Sequence, residues 1–100
     1  MQIRILYFAG CPNKDSTVDL VRRIAREHGL EQAVETAEVR SPQEATDLRF
    51  LGSPTVRIDG VDIDPTARDR TEYGMVCRHY GASGVPPIAM IAAAIREASA

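Results

Sequence analysis

The strongest constraint on this fold is the junction at residues 8–13. Residues 3–8, Ile-Arg-Ile-Leu-Tyr-Phe, are a run of strand formers apolar enough for a buried first strand. Gly10-Cys11-Pro12-Asn13 then interrupts the run. Beyond it the hydrophobic period becomes helical. Val18, Val21, Ile24 and Ala25 fall on one face, and Arg22, Arg23, Arg26 and Glu27 mostly face water. Pro12 suits a first helical position, where a missing N–H costs nothing, and Gly29 after His28 is a stop signal. A helix is therefore predicted over residues 12–28, with Cys11 at its entrance.

The rest of the chain supplies shorter elements. Residues 33–39 read as a second strand, although their alternation is imperfect. Ser41-Pro42-Gln43-Glu44 is a capping box with proline at the first helical position, predicting a short helix over residues 42–48. Phe50-Leu51-Gly52-Ser53-Pro54 breaks that helix, and residues 55–58 form a third strand. Asp59-Gly60 is a strong two-residue hairpin signal, with residues 61–63 as the returning strand. Residues 64–86 are hard to read. So long a loop is uncommon in a compact domain, so it is either functional or contains a short helix around residues 71–80. Pro87 opens a last helix with Ile88, Ile91 and Ile95 on one face, able to pack on the sheet or to leave a small face for a dimer. The order is β-α-β-α-β-β-α, an α/β fold with a mixed four-stranded sheet flanked by helices and a long loop before the last helix.

At 100 residues the chain fits one domain. A net charge of −2 gives no basic field for nucleic acid or an acidic membrane. Two Phe, three Tyr and no Trp make a poor base-stacking platform. No apolar run reaches the roughly 18 residues of a membrane span, and residues 1–8 do not read as a signal peptide, so a cytoplasmic location is the default expectation. Two cysteines far apart in sequence are not a secreted disulfide scaffold. In a reducing compartment they read as free, catalytic or metal-binding thiols.

Taken together, the motifs resemble the thioredoxin superfamily. A first strand ends at Cys11 before a helix, Ser53-Pro54-Thr55 stands where that superfamily has a cis-proline before a strand, and Asp59-Gly60 turns the terminal hairpin. The resemblance covers roughly residues 1–63 and the last helix. More narrowly, the chain is similar to small bacterial thioredoxin-like proteins that carry Gly-Cys-Pro-Asn, Gly-Ser-Pro-Thr and Cys-Arg-x-Tyr. Here these are residues 10–13, 52–55 and 77–80. Some of those proteins are labelled as related to alkylmercury lyase. The resemblance implies a thioredoxin fold, a cis Pro54, and a substrate dock on the backbone of Ser53 beside Cys11. One departure stands out: Lys14 occupies the position of the second cysteine in a Cys-x-x-Cys motif.

The chemistry expected of these residues follows from thiolate physics. Unpaired N–H groups and the positive dipole end of a helix favour the Cys11 thiolate, and Lys14 would add positive charge. Pro12 and Lys14 would border the substrate. Cys77 is a candidate distant resolving thiol if the long loop folds over the Cys11 end, with Arg78 stabilising its thiolate or contacting substrate. Three functions remain open at this stage. The first is thiol–disulfide exchange or a related redox role, with Cys11 and Cys77 catalytic. The second is soft-metal or organomercurial binding through the same two sulfurs. The third is a non-catalytic interaction module, favoured by Lys14. No resident cofactor is expected. The expected partner is a protein or a small thiol, with neither nucleic acid nor membrane, and the chain is expected to be a monomer or homodimer. His28 reads as a helix-end residue, His79 as a surface histidine and Tyr7 as core. Asp59, Asp62 and Asp64 do not form a calcium loop. Arg68 and Arg70 read as a solvated loop face.

Overall fold

The computed structural model describes residues 1–100. Seven main elements follow in order: β1 (Ile3–Tyr7), α1 (Lys14–Glu27), β2 (Val34–Glu38), α2 (Pro42–Asp47), β3 (Thr55–Ile58), β4 (Val61–Asp62) and α3 (Ile88–Ser99). Short 3-10 turns lie at Glu31–Ala33 and Pro65–Ala67. The sheet order is β2-β1-β3-β4. β1 and β2 are parallel, joined through α1, while β1–β3 and β3–β4 are antiparallel. This is a mixed four-stranded sheet with three helices, in the predicted element order.

Strand alternation divides the core into two layers. Ile3 and Ile5 of β1 join Val56 and Ile58 of β3 against Val18, Val21, Ile24 and Ala25 of α1 and Ile91, Ala94 and Ile95 of α3. Leu6 points to the opposite face, where Val39, Ala45 and Phe50 form a smaller cluster under α2. The apolar face of α3 therefore packs against both α1 and the sheet. Ile88, at its start, stays 55% exposed. No helix is long and apolar enough to cross a membrane.

Local signals explain most element ends. Ser41 Oγ accepts from the Glu44 N–H at 3.1 Å. The Glu44 carboxylate reaches back to the Arg40 N–H, one residue earlier than the usual box partner. Asp59 and Gly60 have φ of 52° and 81°, the two positive values that a type I′ hairpin requires. His28 follows α1 and its Nδ1 lies 3.0 Å from the Ile24 carbonyl, a helix-end role as expected.

One expectation is corrected, and one of two alternatives is removed. The first helix begins at Lys14 instead of Pro12. Residues 11–14 first make a tight turn in which the Lys14 N–H donates to the Cys11 carbonyl at 3.4 Å. Asn13 has φ −103° and ψ 2°, the third position of a type I turn, with Pro12 in the preferred second. The segment around residues 71–80 forms no helix. Instead, Cys77 makes a parallel bridge to Ser53, and Tyr80 an antiparallel one to Ser83. The Gly74 N–H also donates to the Phe50 carbonyl at 2.9 Å. The long loop satisfies part of its backbone by pairing with the segment that leads into β3, which a local helix pattern does not anticipate.

Candidate thiol site

Three segments meet where β3 begins. The Ser53–Pro54 peptide bond is cis, as the motif implies. Ser53 is fully buried and makes contacts on both sides. Its Oγ accepts from the Phe8 N–H at 3.3 Å, and the Phe8 carbonyl accepts from the Cys11 N–H at 3.3 Å. Away from that turn, the Ser53 N–H donates to the Val76 carbonyl at 2.9 Å, and the Ser53 carbonyl accepts from the Arg78 N–H at 3.0 Å. One residue thus anchors both the Cys11 turn and the strand-like segment that carries Cys77.

The chain therefore fills its own expected substrate dock. Both backbone groups of Ser53 are taken by residues 76 and 78, and Pro54 is buried, its carbonyl accepting from Tyr80 Oη at 2.6 Å. Gly52 makes the close approach possible. Its φ is +121°, and a Cβ there would lie 2.9 Å from the Val76 carbonyl oxygen and 3.2 Å from Arg78 Cβ. Farther along the loop, Gly84 packs on Asn13. A Cβ at Gly84 would fall 2.1 Å from Asn13 Nδ2, so the loop also lies against the start of α1.

Both cysteines are free thiols. Cys11 is half-buried and Cys77 is exposed. Cys11 stands two residues before Asn13, which holds the N-cap position of α1 without a side-chain capping bond, so it approaches the helix end through the turn and not from within the first turn. Pro12 is exposed beside it. The Lys14 ammonium Nζ lies 4.7 Å from the Tyr7 ring centroid and 3.2 Å from Asp15 Oδ1. Tyr7 is accordingly half-buried at this contact and not a closed core residue. No cluster of three or more His, Cys, Asp or Glu side chains is arranged to hold a metal ion. Soft-metal binding would rest on Cys11 and Cys77 alone.

Comparisons of the chain with protein-family models, curated proteins and solved structures give no match.

Arg78 has a different position from the one expected. It is 4% exposed, and its guanidinium grips Asp62 with two bonds of 2.8 and 2.9 Å. A third bond, at 3.2 Å, goes to Thr55 Oγ1. The same guanidinium stacks 4.6 Å from the Tyr80 ring centroid. Burial alone would lower the Arg78 pKa. The Asp62 hydrogen bond and the charges of Tyr80, Asp62 and Asp64 outweigh it, and the net shift is upward. Tyr80 is held well above the ordinary tyrosine range, chiefly by burial. Arg78 is thus buried and locks the segment bearing Cys77 to the β3–β4 hairpin. In an extended segment, side chains alternate, so a buried Arg78 goes with an exposed Cys77. Asp62 escaped sequence reading because a hairpin aspartate looks solvated. Its only signal was the apolar residues on either side, Val61 and Ile63. His79 is exposed, as expected.

Proposed function

We propose that this chain is a thioredoxin-fold thiol redox protein in which Cys11 is the nucleophile and Cys77 the resolving thiol. The observation that carries the reading is the double anchoring of Ser53, to Phe8 and hence the Cys11 turn on one side and to residues 76 and 78 on the other. The sheet order, the cis bond at Pro54 and the junction at Cys11 support the thioredoxin-like assignment.

The reaction balances as a two-electron exchange. The Cys11 thiolate attacks one sulfur of a disulfide RSSR′, forming Cys11–S–S–R and releasing R′S⁻. The Cys77 thiolate then attacks the Cys11 sulfur, forming the Cys11–Cys77 disulfide and releasing RS⁻. The substrate disulfide is reduced to two thiols and the protein dithiol is oxidised. A thiol reductant, protein or small molecule, restores the dithiol. Because residues 76–78 occupy the backbone of Ser53, the substrate best suited to the site is a small disulfide that needs no strand-like docking. Pro12 borders the half-buried Cys11 and helps define its access.

The test uses 5,5′-dithiobis(2-nitrobenzoate) at limiting concentration, with intact-mass analysis. The wild-type chain releases both aryl thiols and ends without an adduct. Cys77→Ser stalls with one adduct on Cys11. A wild-type chain that keeps stable adducts on its thiols contradicts the exchange.

A further inference from the structure

A second feature lies on the sheet face near the hairpin, away from Cys11. A cleft of about 370 Å³ opens between β3, β4 and the loop, and its wall includes Arg49, Arg57, Arg68, Arg70, Asp62 and Tyr73. Four guanidinium-bearing residues thus surround one small space, in a chain whose net charge is −2. Asp62 is the only carboxylate residue in the lining, and both its oxygens are engaged by Arg78. Arg68 and Arg70 have carboxylate partners, Glu97 and Glu72. Arg49 and Arg57 have none within salt-bridge distance.

Arg57 is the informative residue. It is half-buried on β3, directly across the ladder from Arg4. Like charges placed opposite one another on a sheet cost stability. Its Nη2 donates to the Arg49 carbonyl at 2.6 Å, which fixes the guanidinium beside the cleft and leaves its other N–H groups without an acceptor in the chain. Burial and the neighbouring charges of Arg78 and Arg4 lower its pKa, with Asp62 opposing. The fold therefore holds a partly desolvated cation among other cations, and the one carboxylate facing it, Asp62 across the β3–β4 ladder, is already bound by Arg78. A planar guanidinium with free donors matches the paired oxygens of an oxyanion.

We infer that this cleft binds a small phosphate monoester, its phosphate held by Arg57 and Arg49 and its organic part lying along Tyr73. Arg68 and Arg70 contribute longer-range positive potential from the rim. The space exceeds that needed by a bare phosphate, and the Tyr73 side chain gives the remainder an aromatic wall. This site does not depend on the thiol reading.

Calorimetric titration with phenyl phosphate, at constant ionic strength and with inorganic phosphate as a second probe, tests it. Saturable binding at one site per chain is expected, weakening at least about tenfold in Arg57→Gln. Replacement of both cysteines by serine leaves binding unchanged. Arg49→Gln provides a second variant if Arg57→Gln fails to fold, and it too should weaken binding severalfold. The absence of saturable binding of either probe, or wild-type affinity in a folded Arg57→Gln or Arg49→Gln, overturns the assignment.

Discussion

Cys77 and Ser53 face one another across a parallel β-bridge, so an exposed thiol is mounted on the residue that precedes the cis-proline. The bridge occupies both backbone groups of Ser53 with a segment of the same chain. It also makes the geometry around Cys11 depend on a loop that is distant in sequence.

Gly52 should be the most sensitive position of that bridge. Alanine there adopts a φ that side chains rarely take and meets the Val76 backbone. Gly52→Ala is expected to lower unfolding stability by about 1–3 kcal/mol, measured by urea denaturation. Gly84→Ala makes a nominally closer contact, but with the end of the Asn13 side chain, which can swing away. Its cost should stay below about 1 kcal/mol. Equal losses in the two variants would contradict this contrast between backbone and side-chain obstruction.

The Arg78–Asp62 pair should behave as a buried ion pair whose partners need each other. Asp62→Ala leaves a buried guanidinium uncompensated and is expected to cost about 3–5 kcal/mol. Arg78→Met combined with Asp62→Leu should cost clearly less than the two single changes summed. The double-mutant cycle measures the coupling, and additive losses would mean that the pair contributes little to locking the loop.

Tyr80 gives the protein an alkaline liability. Burial, with help from Asp62 and Asp64 and against Arg78, raises its pKa in the folded chain far above the ordinary value of 10.0. The unfolded chain loses this proton first. The contribution of the neutral hydroxyl is fully present below about pH 10 and declines as pH rises, by up to about 1.4 kcal/mol per pH unit. Urea midpoints from about pH 8 to about pH 11 should fall more steeply in wild type than in Tyr80→Phe. The variant should also lose about 1–3 kcal/mol at neutral pH, because the buried Pro54 carbonyl loses its donor. Identical pH slopes would contradict the assignment.

What was legible in the sequence was what local pattern dictates. The strand at residues 3–8, the Ser41 cap and the Asp59-Gly60 hairpin each carry their own conformational signal, and the structure contains all three. The bridge at Cys77 carries none, because it depends on backbone groups of Ser53 far away in the chain. For the same reason the burial of Arg78 carries no local signal: its partner, Asp62, comes from the hairpin. Arg68 was expected at a solvated loop face. It is exposed there, and it also reaches the Asp62 carbonyl and Glu97 on α3 and joins the arginine-lined cleft. Pro12 was read as the helix start because proline tolerates that position. The competing turn at residues 11–14 uses the same preference one step earlier.

Resolution of Cys11 by Cys77 requires that the two sulfurs join within one chain. Mild oxidation of the reduced protein with diamide, followed by non-reducing peptide mapping, tests it most directly. The expected product is a monomer that has lost two hydrogens, with the peptides containing Cys11 and Cys77 joined through one disulfide. A chain that keeps both thiols, or forms only disulfides between molecules, would contradict it.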